Sequence, residues 1–284
     1  MPVKRILFAF ILQLTWSAAC RAAPPQRIVS LAPSVTEVIC ALGLEANLVG
    51  VTSYCDRPAS VRGKAVIGGP ANPSLEAVYS LKPDLVVVDE EGLGPSLTGR
   101  LERMGIKAVQ FHGSRLVGLA EGIRRLGRDL GVPGRAEVLA ARIERSLRSA
   151  KGSRALPKVL YVIWPDPLIT AGPGTLIDDA LRIVGFRNCA DDAHGTYPHL
   201  SLEAVMARDP ELLVVGPGHA DYFPLDRLLR RLRSVRAVRQ GRICYVGDAL
   251  YRSGPRIPEG LRELRRCAQR FFPDQPSRRQ GDVP

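Results

Sequence analysis

Two short segments of near-identical sequence carry the clearest pattern of reactive side chains in this chain of 284 residues. Ser74 precedes Leu75-Glu76-Ala77-Val78, followed by Pro83 and Leu85-Val86-Val87-Val88. Ser201 likewise precedes Leu202-Glu203-Ala204-Val205, followed by Pro210 and Leu212-Leu213-Val214-Val215. Eight of the fourteen aligned positions are identical, at a constant offset of 127 residues. Each serine can cap a helix whose first turn holds the glutamate, where a carboxylate offsets the helix dipole by roughly 0.3 to 1 kcal/mol. Equivalent carboxylates on two repeated units can also engage equivalent cations on a two-fold symmetric partner. Covalent chemistry has thinner support. No GxSxG elbow, Walker loop or HExxH occurs, and Gly92-Leu93-Gly94 lacks the third glycine and supporting acid of a dinucleotide fingerprint. Asp191, Asp192 and His194 have the types for a metal or hydrolytic cluster, as in an exported hydrolase, but in a Gly/Pro-rich loop these types commonly serve turns. The chain reads as a binding protein rather than an enzyme.

The elements that must position these residues alternate between strand and helix. Strands are expected at Arg27 to Leu31, Val49 to Ser53, Leu85 to Val88 and Ala108 to Phe111, then at Val159 to Ile163, Leu212 to Val215 and Ile243 to Val246. A helix capped by Ser34 is expected from Val35 to Leu42, ended by Gly43. The alternation implies an α/β fold of two Rossmann-like lobes with mostly parallel sheets. Between them Ala136, Leu139, Ile143, Leu147 and Ala150 recur at helical spacing, bracketed by Pro133 and Pro157. This predicts one rigid linker helix, stiffer than a Gly/Ser connector. The expected organisation is a signal peptide over 1–23, an N-terminal lobe over 24–132, the linker helix over 133–155, a C-terminal lobe over 156–274 and a disordered tail over 275–284.

The first twenty residues read as a secretory leader, with Lys4 and Arg5, an apolar run from Ile6 to Leu14, and small residues before Cys20. Export to the periplasm follows, either soluble or anchored by a lipid on Cys20. The net charge of +12 is spread through helical segments and aromatics make up only 6%, so no nucleic-acid partner is expected. Arg227, Arg230, Arg231, Arg233, Arg236 and Arg239 surround apolar positions as the solvated face of one amphipathic helix. The cysteines show no CxxC spacing and no zinc site is expected. Cys40 and Cys244 read as buried small hydrophobes, and Cys189 with Cys267 is the expected disulfide.

Four stretches carry a resemblance that spans about residues 27 to 272. They are Arg27-Ile28-Val29-Ser30-Leu31-Ala32-Pro33-Ser34, Ser53-Tyr54-Cys55-Asp56-Arg57-Pro58, the two repeat copies, and Gly247-Asp248-Ala249-Leu250-Tyr251-Arg252-Ser253-Gly254-Pro255-Arg256. Together they resemble the periplasmic cobalamin-binding proteins of ABC importers, within the class of helix-linked solute-binding proteins that also carries haem and iron-siderophore complexes. The resemblance implies a monomer that holds a corrinoid between its lobes, with no cofactor of its own. It implies delivery to a permease dimer with two ATPase subunits, Glu76 and Glu203 meeting permease arginines, and membrane contact made through the permease. It further implies ligand contacts from Tyr54 in the first lobe and from Tyr197, Asp248 and Arg252 in the second, with Trp164 as a nearby candidate. Aromatic rings offer flat apolar area to a corrinoid, and Asp248 and Arg252 can bond its amides or phosphate. Where some relatives place a tryptophan before the first glutamate helix, this chain has Gly68-Gly69-Pro70-Ala71-Asn72-Pro73. Haem, the rival ligand, would need an axial Tyr or His from among Tyr54, His112, His194, His199 and His219. A ferric siderophore would prefer several arginines, and Arg252 is the one candidate.

Overall fold

The computed structural model describes residues 24–273 except 91–93, 153–156 and 218–224. The expected leader with Cys20, His219 and the tail over 275–284 lie outside the described residues.

In the first lobe β1 (Ile28–Ser30) and α1 (Pro33–Ala41) are followed by β2 (Leu48–Val51), β3 (Ala65–Val66) and a small hairpin, β4 (Gly68–Gly69) with β5 (Asn72–Pro73). Then come α2 (Leu75–Ser80), β6 (Leu85–Asp89), α3 (Gly94–Arg103), β7 (Ala108–Phe111) and α4 (Leu116–Asp129). The parallel sheet has the order β3-β2-β1-β6-β7. The connector α5 (Pro133–Ala150) leads to β8 (Lys158–Pro165), β9 (Leu168–Thr170), α6 (Leu176–Val184), β10 (Arg187–Asn188) and α7 (Leu202–Arg208). The chain continues through β11 (Leu212–Val215), α8 (Leu225–Arg231), α9 (Arg236–Arg239), β12 (Ile243–Tyr245) and α10 (Ile257–Phe271). The second sheet runs β10-β8-β11-β12 in parallel, with β9 antiparallel on β8. Both copies of the repeat form a serine-capped helix followed by a central strand. Ser74 Oγ accepts from Ala77 N at 3.2 Å, and Ser201 Oγ accepts from Ala204 N at 3.1 Å.

Central parallel strands are covered on both faces, so they read as unbroken apolar runs whose alternate residues feed different cores. Ile28, Leu85 and Val87 of the first lobe join Val159, Tyr161, Leu212 and Val214 of the second in one continuous core that also takes in α1, α4, α5, α6 and α10. Their neighbours Val29, Val86 and Val88, and Leu160, Val162 and Leu213, face two separate outer cores. The connector is therefore part of the shared core rather than a free strut. Gly127 allows it to lie close on α4, since a Cβ there would stand 2.1 Å from that of Ala136.

Four local expectations are corrected. The connector helix stops at Ala150 rather than 155, and Gly152 N then donates to Ile183 O. Ser34 does not cap α1; Ala32 holds that position with Pro33 after it, and the Ser34 hydroxyl is turned to Asp89. The arginine-rich stretch is two helices, broken between Arg231 and Arg236, because Arg236 is drawn from the solvated face to Asp209, its Nε donating to Oδ2 at 2.7 Å. The disulfide joins Cys244 to Cys267, not Cys189 to Cys267. Cys244 and Cys267 share the continuous core with Cα atoms 5.9 Å apart. Cys189 is a buried free thiol in the outer core, on the other face of the sheet.

Closing a loop of 23 residues removes conformations from the unfolded chain, worth about 3 kcal/mol. Reduction, or the change Cys244→Ser, is expected to lower the unfolding free energy by about that amount in denaturant titrations. Cys189→Ser is expected to leave the dependence on reductant unchanged.

Candidate functional site

A cavity of about 260 Å³ opens between the lobes at the carboxyl ends of the parallel strands, where ligands of open α/β sheets bind. From the first lobe it takes the start of α1 (Ala32, Pro33 and Ser34), Asp89 at the end of β6, Ser114 after β7, and the Tyr54 and Pro70 loops. From the second it takes Leu176 at the start of α6, Tyr197, and the Leu250–Ser253 stretch after β12. Ser34 Oγ donates to Asp89 Oδ2 at 2.5 Å, setting a carboxylate in the floor. Tyr54 and Tyr197 are 65% and 53% exposed, which excludes a core role for either ring. Gly172 brings the Tyr197 loop close to β9, because a Cβ there would lie 2.3 Å from Gly195 O. Tyr251 rests on Tyr161 with ring centroids 6.4 Å apart, and burial raises its phenol above the usual range.

Ion pairs between the lobes reach the cavity through Arg252, which lines it and is held from the opposite lobe. Glu37 of α1 is only 5% exposed. It accepts from Arg252 Nη1 at 3.1 Å, and from Arg256 Nε at 2.8 Å and Nη2 at 3.0 Å. Arg252 also donates to Asp56 Oδ1 at 2.5 Å, and Arg256 to Asp248 Oδ1 at 2.7 Å. Arg57 reaches Asp248 from the first lobe at 3.4 Å. Burial opposes ionisation of Asp248, but the hydrogen bond and charge of Arg256, joined by Arg57 and Arg252, outweigh it and keep the carboxyl below its ordinary range. The reverse arrangement occurs on α6, where buried Asp179 takes Arg115 of the first lobe in two bonds, Nε to Oδ2 at 2.8 Å and Nη2 to Oδ1 at 2.5 Å. Beside it the 112–114 loop is tied to Glu90, which accepts from Gly113 N at 2.8 Å, Ser114 N at 2.6 Å and the His112 ring at 2.9 Å. Burial works against the Glu90 charge, yet these bonds bring its carboxyl down to about 2.

The structure thus gathers Tyr54, Tyr197 and Arg252 at one cavity and separates two other expected contacts from it. Trp164 does not line the cavity; its Nε1 donates to Asp166 O at 2.8 Å across the turn that joins β8 to β9. Asp248 does not line the cavity; its carboxylate is held by Arg256 and Arg57. Asp192, one of the acids with the type for a hydrolytic cluster, accepts from Arg208 Nη2 at 2.9 Å. Among the described residues no group of three or more His, Cys, Asp or Glu could hold a metal ion. Sequence reasoning missed Glu37, Asp89, Tyr251 and Arg256. Glu37 left a signal, an acid set among the apolar positions of a helix, and Tyr251 and Arg256 lie in the 247–256 stretch that carries the resemblance. Glu76 and Glu203 are exposed on α2 and α7, far from this constellation in role, with no part in lining it.

The family model described as "Periplasmic binding protein" matches residues 28–250. An uncharacterized ABC transporter substrate-binding lipoprotein, YvrC of Bacillus subtilis, is 30% identical over 88% of this chain and 81% of its own. A vitamin B12-binding protein of Pectobacterium atrosepticum is 27% identical over 92% of this chain and 95% of its own. Among solved structures, the periplasmic haem-binding protein RhuT from Roseiflexus in its apo form superposes with a TM-score of 0.75 at 32% identity, covering 85% of this chain and 97% of that one.

Breaking a buried ion pair strands its partners, so Glu37→Ala is expected to lower the unfolding free energy by about 3 to 5 kcal/mol in urea titrations. Glu90 has a folded-state value depressed from 4.5 to about 2, so its contribution is complete above about pH 4.5 and is lost as pH falls toward 2. Stability measured across that window is expected to fall less steeply in Glu90→Gln than in the parent chain.

Proposed function

The chain belongs to the periplasmic binding protein family, and from that premise we propose that it captures a corrinoid of the cobalamin class in the inter-lobe cleft and delivers it to an ABC importer. The observation that carries the ligand class is the charge state of the cavity. Its one arginine among the described lining residues, Arg252, is held by two carboxylates of the opposite lobe, while its floor presents Asp89. Such a lining offers no surplus cation to a dianionic haem or an acidic siderophore. It suits a ligand that brings many neutral amide donors, which Asp89 and Ser34 can accept or complement. Tyr54 and Tyr197, reaching in from opposite lobes, supply flat apolar faces for a macrocycle. Tyr251 takes the place that Trp164 was expected to fill. The likeness to a vitamin B12-binding protein over almost the whole chain supports the same reading.

Haem is the second reading. It is favoured by the higher identity to a haem-binding protein, and by two exposed phenols of a type that can ligate ferric iron. In either case the partner is a permease pair with two ATPase subunits, approached through Glu76 and Glu203, and the chain works as an exported monomer without catalysis. No described helix is long and apolar enough to cross a membrane.

Titration calorimetry of the mature chain with cyanocobalamin and, in parallel, haemin tests the ligand. Saturable binding of one cobalamin per chain is expected, weakened about tenfold or more by Tyr54→Ala or Tyr197→Ala without loss of folding. Binding of haemin alone would replace the corrinoid and retain the transport role. For docking, Glu76→Ala with Glu203→Ala is expected to leave ligand affinity unchanged and to depress uptake into cells; undiminished uptake would remove those residues from the interface.

A further inference from the structure

The repeat places more than a carboxylate on its outward face. In α2, Val78 is buried and Leu75 packs against the outer core; in α7, Val205 and Leu202 do the same. That orientation leaves Glu76 and, three residues on, Tyr79 facing solvent, and likewise Glu203 and Met206. Residues three apart on a helix are neighbours, so each pair forms one surface patch. Tyr79 is 61% exposed and Met206 40% exposed. They stand at the repeat offset of 127 residues, and among the described exposed large apolar residues no other pair does. Three further members of that set, Tyr54, Tyr197 and Tyr251, belong to the cleft.

The fold has no use for apolar bulk at these positions, since both helices already bury their inner face. A chance exposed apolar residue is ordinary. The same class of side chain, beside the same carboxylate, on the two repeat-related helices is a pattern that a two-fold partner would recognise. The negative charge beside each apolar side chain selects a partner surface with a cation at the edge of an apolar depression, present twice.

We propose that Tyr79 and Met206 are apolar anchors of the docking surface, each entering a depression on one subunit of the permease pair while the neighbouring glutamate meets the adjacent cation. This rests on the docking role given to Glu76 and Glu203 and extends it. Partly desolvating each carboxylate, the apolar contacts strengthen its pairing, because a charge pair shielded from water attracts more strongly than one in it. The phenol and the thioether differ, so the two half-sites are chemically unequal. Met is the more adaptable filler of an irregular depression.

The test is the affinity of the chain, loaded with cyanocobalamin, for its cognate permease–ATPase complex in lipid nanodiscs, measured by surface plasmon resonance. The double change Tyr79→Ser and Met206→Ser is expected to raise Kd about tenfold or more, with ligand affinity and melting temperature unchanged. Tyr79→Phe with Met206→Leu, which keeps the apolar area, is expected to bind like the parent. Glu76→Ala with Glu203→Ala is run alongside. Loss of affinity in the glutamate pair but not in the serine pair overturns the apolar anchors and leaves the docking role standing. No loss in either pair overturns both.

Discussion

The arrangement of the two lobes depends on the Glu37 carboxylate, buried on one lobe and shared by two arginines of the other. A carboxylate out of water is costly unless its lone pairs are filled, and Glu37 is filled by three guanidinium donors from Arg252 and Arg256. Such a pair adds little net stability over an apolar filling, but separating it costs several kcal/mol. It therefore acts on geometry, as it penalises every lobe orientation that would strand one of the charges. Asp179 and Arg115 repeat the device with the lobes exchanged, so that each lobe contributes one buried acid, on α1 in the first and on α6 in the second.

These pairs sit on a core that does not stop at the lobe boundary. The inner faces of both sheets, the connector and α10 bury into one apolar mass, tied further by the Cys244–Cys267 disulfide. A hinge with large amplitude would have to open that mass and break the ion pairs together. The cleft is accordingly nearly formed before ligand arrives, and a preorganised cleft wastes less of the contact energy on ordering itself. The same pairs neutralise Arg252 where it borders the cavity, which is how a strut between lobes also sets the charge that a ligand meets.

Much of this was readable from local pattern. Two short-range rules, apolar runs for buried parallel strands and serine caps before acidic first turns, placed β6, β7 and β11 to within a residue and marked where α2 and α7 begin. Tyr54, Tyr197 and Arg252, which the resemblance implies as ligand contacts, lie at the inter-lobe cavity. The misses share one cause. Ser34 has the type of a cap but faces Asp89, 55 residues later. Trp164 has the type of a ligand platform but, within β8, stands outside the cavity that forms between the lobes. Cys189 was paired with a cysteine on the opposite face of its own sheet. Each decision turned on distances between elements remote in sequence.

By itself the sequence determined the two α/β units, their order, the repeat that puts one carboxylate on each, and the class of protein they make. The units, their order and the repeat follow from hydrophobic periodicity and capping, which act over a few residues, while the class of protein rests on the resemblance of four stretches. Only the tertiary structure decided which carboxylate each arginine meets, which cysteines join, and what charge the cleft presents. A buried ion pair or disulfide is set by packing that brings residues more than twenty, and often about two hundred, positions apart into contact, and no local pattern encodes that meeting.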